Sequence, residues 1–162
     1  MYPDSRRLTE TFQNIIQDTK TAFGELTISL KKEGIVPVCR FLREDPEMNF
    51  DHITDICSLD FPEEENRFEI VYMFYSIGKK HRIRVKARVS EEDCTIDSVA
   101  SIWKGANFME REVYDMMGIR FTNHPDLRRI MMPEDFEGYP LRKDFPTEGR
   151  GWRNTFEFLP TP

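Results

Sequence analysis

The 162-residue chain has no long hydrophobic run, no paired cysteines and no excess of positive charge. No stretch of 18 apolar residues exists, so no segment reads as a membrane span. Met1 to Arg7 lacks the apolar centre of a signal peptide. The three cysteines, Cys39, Cys57 and Cys94, lie far apart and form no CxxC pair. Their number and scatter point to reduced thiols, and this chain alone offers no four-ligand set for zinc or an iron–sulfur cluster. There is no glycine-rich phosphate loop, no GxSxG and no Cys/His pairing of the kind nucleophilic enzymes use. The formal charge is −6. Residues 1–100 and 101–162 are each slightly acidic, which argues against a nucleic-acid footprint.

What is present is enough apolar sequence for one core. Hydrophobic residues make up 39% of the chain and charged residues 32%, which suits a single domain with an extension. Leu8, Phe12, Ile15, Ile16, Thr19 and Phe23 share one helical face, and Gly24 follows where a helix end favours a left-handed residue. This predicts a helix over 6–23, capped by Asp4 or Ser5. Glu25 to Leu30 reads as a strand and Lys31 to Gly34 as a turn. Residues 36–45 read as a helix with Pro37 near its start and Val38, Phe41 and Leu42 facing inward. From Phe50 the period becomes two. Ile53, Asp55, Cys57 and Leu59 alternate with His52, Thr54, Ile56 and Ser58 until Pro62 and an acidic run. Phe68 to Ile77 is the most strand-like segment, and Ile83, Val85, Ala87 and Val89 alternate with basic residues after a Gly78 turn. That alternation predicts one buried and one wet face. A short helix is expected over 97–103. The fold class is α/β (α+β): a mixed sheet packed by helices in two layers.

A further helix begins near Asn107, with Asn107 as cap and Glu110 completing a capping box. Met109, Val113, Met116 and Met117 form its apolar face, Arg111 can pair with Asp115, and Gly118 ends it. From Gly118 onward lie six of the ten prolines and four of the eight glycines. Residues 119–162 are therefore expected to be an extended, mostly irregular tail after a domain of residues 1–118. The tail is too rich in Phe, Ile, Leu, Met, Trp and Tyr for a solvated linker and implies a surface to lie on. Glu110, Glu112, Asp115, His124 and Asp126 have the functional groups for acid–base or metal chemistry. Yet Glu110 and Glu112 point to different sides of a helix, Asp115 and His124 lack a ligand spacing, and Arg111, Arg120, Arg128 and Arg129 are available to pair with the acids. An ion-pair network is the expectation. His52 and His81 read as structural or solvated, and Cys57 as core.

The run Glu110-Arg111-Glu112-x-x-Asp115-Met116-Met117, then six residues to His124, then Pro125-Asp126-Leu127-Arg128-Arg129-Ile130, resembles the signature of the 30 kDa subunit family of respiratory complex I, known in bacteria as the C subunit of NADH–quinone oxidoreductase. The likeness continues through Pro133-Glu134-Asp135 and Glu137-Gly138 to Pro140-Leu141-Arg142-Lys143-Asp144-Phe145-Pro146, and Trp103-x-x-Ala106-Asn107-Phe108 precedes it. Asp45-Pro46, Phe50 and Asp60-Phe61-Pro62 extend it loosely.

The resemblance implies a non-catalytic, cofactor-free subunit of the peripheral arm of a proton-translocating NADH:quinone oxidoreductase. FMN and iron–sulfur clusters are expected in partner subunits. The partners implied are the large subunit of the forty-nine-kilodalton type (the D subunit), which helps form the quinone site, and other peripheral-arm subunits. No nucleic-acid partner is expected. Attachment to the cytoplasmic side of the inner membrane would be peripheral, through the complex. The expected interface residues are Glu110, Arg111, Asp115, His124, Arg128, Arg129, Arg142, Lys143 and Asp144, with no catalytic, cofactor or metal site. The chain ends soon after Phe156 to Leu159, where some members run on. One alternative keeps the role in a related complex fed by ferredoxin, F420H2 or hydrogen. A remote one is a free-standing acid–base enzyme using Glu110, Asp115 and His124.

Overall fold

The computed structural model describes residues 5–151; the Asp4 cap and the Phe156–Leu159 terminus lie outside the described residues. The chain runs α1 (Ser5–Thr11), β1 (Ile16–Ala22), β2 (Glu25–Leu30), a 3-10 turn at Lys32–Gly34, α2 (Ile35–Glu44), β3 (His52–Asp60), β4 (Phe68–Ser76), β5 (His81–Val89), β6 (Thr95–Asp97), α3 (Ala106–Met117) and β7 (Arg120–Thr122). The main sheet has the order β1-β2-β5-β4-β3. Only its β2–β5 pair is parallel. This is the two-layer mixed α/β fold expected from the periodicity. Leu26, Ile28, Ile70, Tyr72, Phe74, Ile83 and Val85 form the sheet's inner face. Leu8 of α1, Val38 and Leu42 of α2, and Val113 and Met116 of α3 belong to the same core. Trp103 joins the layers: its ring lies 4.6 Å from that of Phe74, and its Nε1–H donates to the Phe50 carbonyl at 3.1 Å.

The expected helix over 6–23 is only α1. The rest is a turn and β1, which forms a two-residue hairpin with β2 through Phe23 (φ 52°) and Gly24 (φ 85°). A positive-φ glycine serves a helix C-terminus and a type I′ hairpin turn equally well, so Gly24 does not separate the two readings. β1 is solvent-facing along its middle, which leaves no alternation to read. In β3 the strict alternation fails. A bulge between Ile53 and Asp55 shifts the phase, so Ile53 and Ile56 face inward and Leu59 is 44% exposed. Residues 97–103 form the end of β6 and turns rather than a helix. α3 starts at Ala106 with Gly105 as N-cap and no side-chain cap, so Asn107 lies inside the helix. The segment after Gly118 opens as strand β7, paired in parallel with β6, and its Ile119 and Phe121 enter the core.

Candidate functional site: α3 and the C-terminal strap

α3 carries its charged residues on two different faces. Glu110 and Asp115 are fully buried, while Glu112 is exposed. After β7 the chain, residues 123–151, returns across α3 and the end of the sheet as a strap. The strap has few regular hydrogen bonds of its own, so its order comes from side chains that reach into it.

Asp115 is the principal anchor. Its Oδ2 accepts the backbone N–H groups of Ile130, Met131 and Met132 at 3.0, 2.7 and 2.8 Å, and its Oδ1 accepts from Arg129 at 2.7 Å. Burial works to raise its pKa, but the three amides and the guanidinium outweigh burial and hold the carboxyl below its ordinary range. The expected Arg111–Asp115 pair is not formed. The Asp115 carboxylate is filled by the strap, and Arg111 instead donates to the carbonyls of Arg128 and Arg129 at 3.1 and 3.2 Å. Arg129 continues to the carbonyls of Phe136 and Gly138, both at 3.1 Å. The two arginines therefore satisfy carbonyls that an irregular segment would otherwise leave orphaned.

Glu110 faces the other way. Its Oε1 accepts the Val99 N–H at 2.7 Å and its Oε2 accepts the Ser98 hydroxyl at 2.5 Å, so it organises the turn after β6 rather than a capping box. Burial pushes its pKa up to about 7 against the pull of these two donors. The His124 side chain is fully buried, with Nε2 3.8 Å from Glu110. Its Nδ1 accepts the Asp126 N–H at 3.0 Å, and Nε2 therefore carries the proton toward the Asn107 carbonyl at 3.1 Å. Glu110, Asp115 and His124 are thus all closed to a substrate in this conformation. Arg128 is exposed and pairs with Asp126 at 2.9 Å, a surface contact of little weight.

The far end of the strap is clasped to the sheet. Arg142 donates to the Met117 carbonyl at 2.7 Å and lies 4.7 Å from the rings of both Phe68 and Tyr139. The Lys143 N–H donates to Asp60 at 2.7 Å, while the Lys143 side chain is exposed. Arg67 completes the clasp. It forks onto Asp60 at 2.7 and 2.9 Å and also meets Glu91 at 3.0 Å and Asp144 at 3.1 Å. Arg67 holds the Asp60 carboxyl below its usual range. Gly118, at φ 77°, is where strap and helix touch most closely: a Cβ there would lie 2.5 Å from the Tyr139 ring and 2.7 Å from Arg142.

All nine residues expected at an interface thus lie on α3 or the strap, and most are engaged inside the chain. Glu110 and Asp115 have no exposed surface, so any effect they exert on a partner passes through the backbone they fix. Asp60, Arg67 and Glu91 stand outside the expected set. Their partners lie more than 50 residues away in the strap, and only the unusual burial demanded of Arg67 between strands would hint at them. The strap side turns four large apolar residues outward, Phe108, Ile130, Met131 (60% exposed) and Leu141, among exposed charged residues such as Glu134, Asp135 and Lys143. The free thiols Cys39, Cys57 and Cys94 are buried or half-buried. Among the described residues no group of three or more His, Cys, Asp or Glu is placed to hold a metal ion, and no helix is long and apolar enough to cross a membrane.

Fold and site together define a two-layer α/β domain with a C-terminal strap fixed by buried carboxylates. Residues 28–151 match the family described as respiratory-chain NADH dehydrogenase, 30 Kd subunit, and the chain belongs to that family. It is 49% identical over 143 residues to a protein of Geotalea uraniireducens named as the C subunit of NADH-quinone oxidoreductase, covering 88% of this chain and 86% of that protein. Among solved structures, a chain described as the trypsin-resistant fragment (1–134) of Nqo5 is 33% identical with a TM-score of 0.63, covering 75% of this chain and 97% of that one. A chain from an archaeal membrane-bound sulfane sulfur reductase shares the fold at 22% identity and a TM-score of 0.72, covering 88% of this chain and 86% of that one.

Proposed function

We propose that this chain serves in the peripheral arm of a proton-translocating NADH:quinone oxidoreductase, where it docks on the large D-type subunit and supports the quinone-reduction module. The observation that carries this reading is the sequence likeness over 88% of the chain to a protein named as a subunit of that enzyme. The fold alone is no guide to the electron donor, since the sulfane sulfur reductase chain has it too. The NADH assignment rests on the sequence.

The chain's own residues supply position rather than electron transfer. Asp115, Arg111 and Arg129 turn residues 128–138 into a fixed ledge on α3. The Arg67–Asp60 clasp and Arg142 fix residues 139–144. A segment ordered before docking loses less entropy on binding than a free tail. Its outward apolar side chains, Phe108, Met131 and Leu141, then meet the large subunit. FMN and iron–sulfur clusters belong to partner subunits, the isolated chain is inert, and its attachment to the cytoplasmic face of the membrane runs through the complex.

The test is isolation of the complex through an affinity tag on this chain, from detergent-treated membranes of the cells that make it. The expected result is co-isolation of the large D-type subunit and of a flavin- and NADH-binding subunit, with NADH-dependent quinone reduction. Recovery of the chain with a large subunit but a different donor subunit would replace NADH by another donor. Recovery without any large redox subunit would overturn the assignment.

A further inference from the structure

The ends of the sheet differ in character. The clasp closes where β3 ends and β4 begins, at Asp60 and Arg67. The opposite end carries two hairpin tips, Phe23-Gly24 between β1 and β2 and Ile77–Lys80 between β4 and β5. β5 spans nine residues, which puts the two ends roughly 27 Å apart. The tips lie side by side because β2 and β5 pair in parallel from Leu26 and Ile83 onward. Phe23, Gly24, Glu25, Tyr75, Lys80, His81 and Arg82 line a shallow depression of about 360 Å³ between them.

Phe23 has no packing role within the described residues. It is fully exposed, at 106% of its reference surface, and adopts φ 52°. The first position of such a turn favours Asn, Asp or Gly, and a bulky side chain there is strained. The chain accepts a conformational cost to hold a phenyl ring in water. Ile77, on the neighbouring tip, is 61% exposed.

The surroundings are basic in a chain of net charge −6. Among the described residues Lys20 and Lys80 meet no acid, and Arg82 has only the Tyr75 ring, 5.5 Å away. The acids at this end are engaged: Glu25 by Arg84, Glu47 by Lys79, and Asp51 by the Ile77 amide. An exposed aromatic on a two-residue turn, with Lys80 and Arg82 beside it, has the make-up of an interface anchor, with the ring as plug and the charges as rim.

Resting on the reading of this chain as a subunit of a larger complex, we infer that the paired tips form a second docking surface, in which Phe23 enters an apolar socket rimmed by Asp or Glu on a neighbouring protein subunit. One Phe and one Ile fall short of the buried apolar area a membrane anchor needs. Two copies meeting tip to tip would oppose like charges. The surface stands at the end of the sheet away from the clasp, so it gives the subunit a second, independent point of attachment.

The experiment places a photoreactive benzophenone side chain at position 23 in the assembled complex, irradiates it and maps the adducts by mass spectrometry. An adduct on a neighbouring subunit, at an apolar segment bordered by Asp or Glu, is expected. No adduct, an adduct on lipid or an adduct on a second copy of this chain would overturn the inference. Phe23→Asn supplies a second measurement. Asn suits positive φ, so the isolated variant should be at least as stable as the natural chain, while its loss from the complex on salt washing should quicken about tenfold. Unchanged retention, or lost stability in the isolated chain, would overturn the role of Phe23. If the natural chain does not co-isolate with a complex at all, the assignment of the subunit has failed rather than this surface.

Discussion

Asp115→Asn should release the strap while leaving the sheet folded. The carboxylate is fully buried and accepts four donors, three of them consecutive backbone amides. Asn keeps one oxygen and presents its NH2 group to either the amides or Arg129, so donor faces donor. It also removes the negative charge from a buried pair. Bonds to a charged acceptor are each worth about 1.5–3 kcal/mol, but they do not add, and leaving one partner of a buried pair unmatched costs about 3–5 kcal/mol. We take ~3 kcal/mol as the lower bound for local opening, because the strap can move to expose Arg129 to water. At about 1.36 kcal/mol per tenfold, amide exchange at residues 130–132 should accelerate by on the order of a hundredfold. Amides in β4 and β5 should keep their rates. Exchange at 130–132 at the natural rate would refute the claim that Asp115 holds the strap. The pH response has a definite sign. The folded-state pKa of Asp115 is depressed, so its contribution is present above the unfolded value and is lost only as pH falls through the folded one. The strap should therefore stay closed at neutral pH and loosen in acid.

Glu110 runs the opposite way, because burial raises its pKa to about 7. The folded state binds the proton more tightly than the unfolded state, so stability should decline as pH rises from about 4.5 to about 7, by up to ~3 kcal/mol. Glu110→Gln keeps the Val99 bond through its amide oxygen and can donate its NH2 to the Ser98 hydroxyl, and it should abolish that decline in urea unfolding measured from pH 5 to 8; an unchanged slope would contradict it. Gly118→Ala must place a methyl group against Tyr139 and Arg142 at positive φ, and should lower stability by roughly 2 kcal/mol or more in thermal unfolding. Arg67→Ala leaves the buried Asp60 carboxylate without its fork and should cost about 3–5 kcal/mol, with residues 143–144 gaining protease sensitivity.

The strands β2 and β5 were legible because their inward and outward residues alternate, β4 because it is a continuous run rich in β-branched and aromatic residues, and α2 because its apolar positions keep helical spacing. β1 was not. It buries almost nothing along its middle, so pairing with β2 rather than sequence pattern makes it a strand. β7 is three residues long and is held by β6, a contact no local signal announces. The arginine-rich strap was legible as a segment needing a surface. That part of this surface is the chain's own α3 and clasp was not, because Asp60, Arg67 and Glu91 are distant in sequence from Arg142, Lys143 and Asp144. The idea of a carboxylate–histidine cluster was half legible: Glu110 and His124 do come together, but facing inward, where one organises a turn and the other bonds to backbone on both nitrogens.

The most direct test of the account is hydrogen exchange of this chain alone and bound to the large D-type subunit. The strap, residues 128–145, should already be ordered in the free chain and gain further protection on binding, together with the start of α3 around Phe108. Protection that leaves the strap unchanged and falls wholly on other parts of the domain would contradict it.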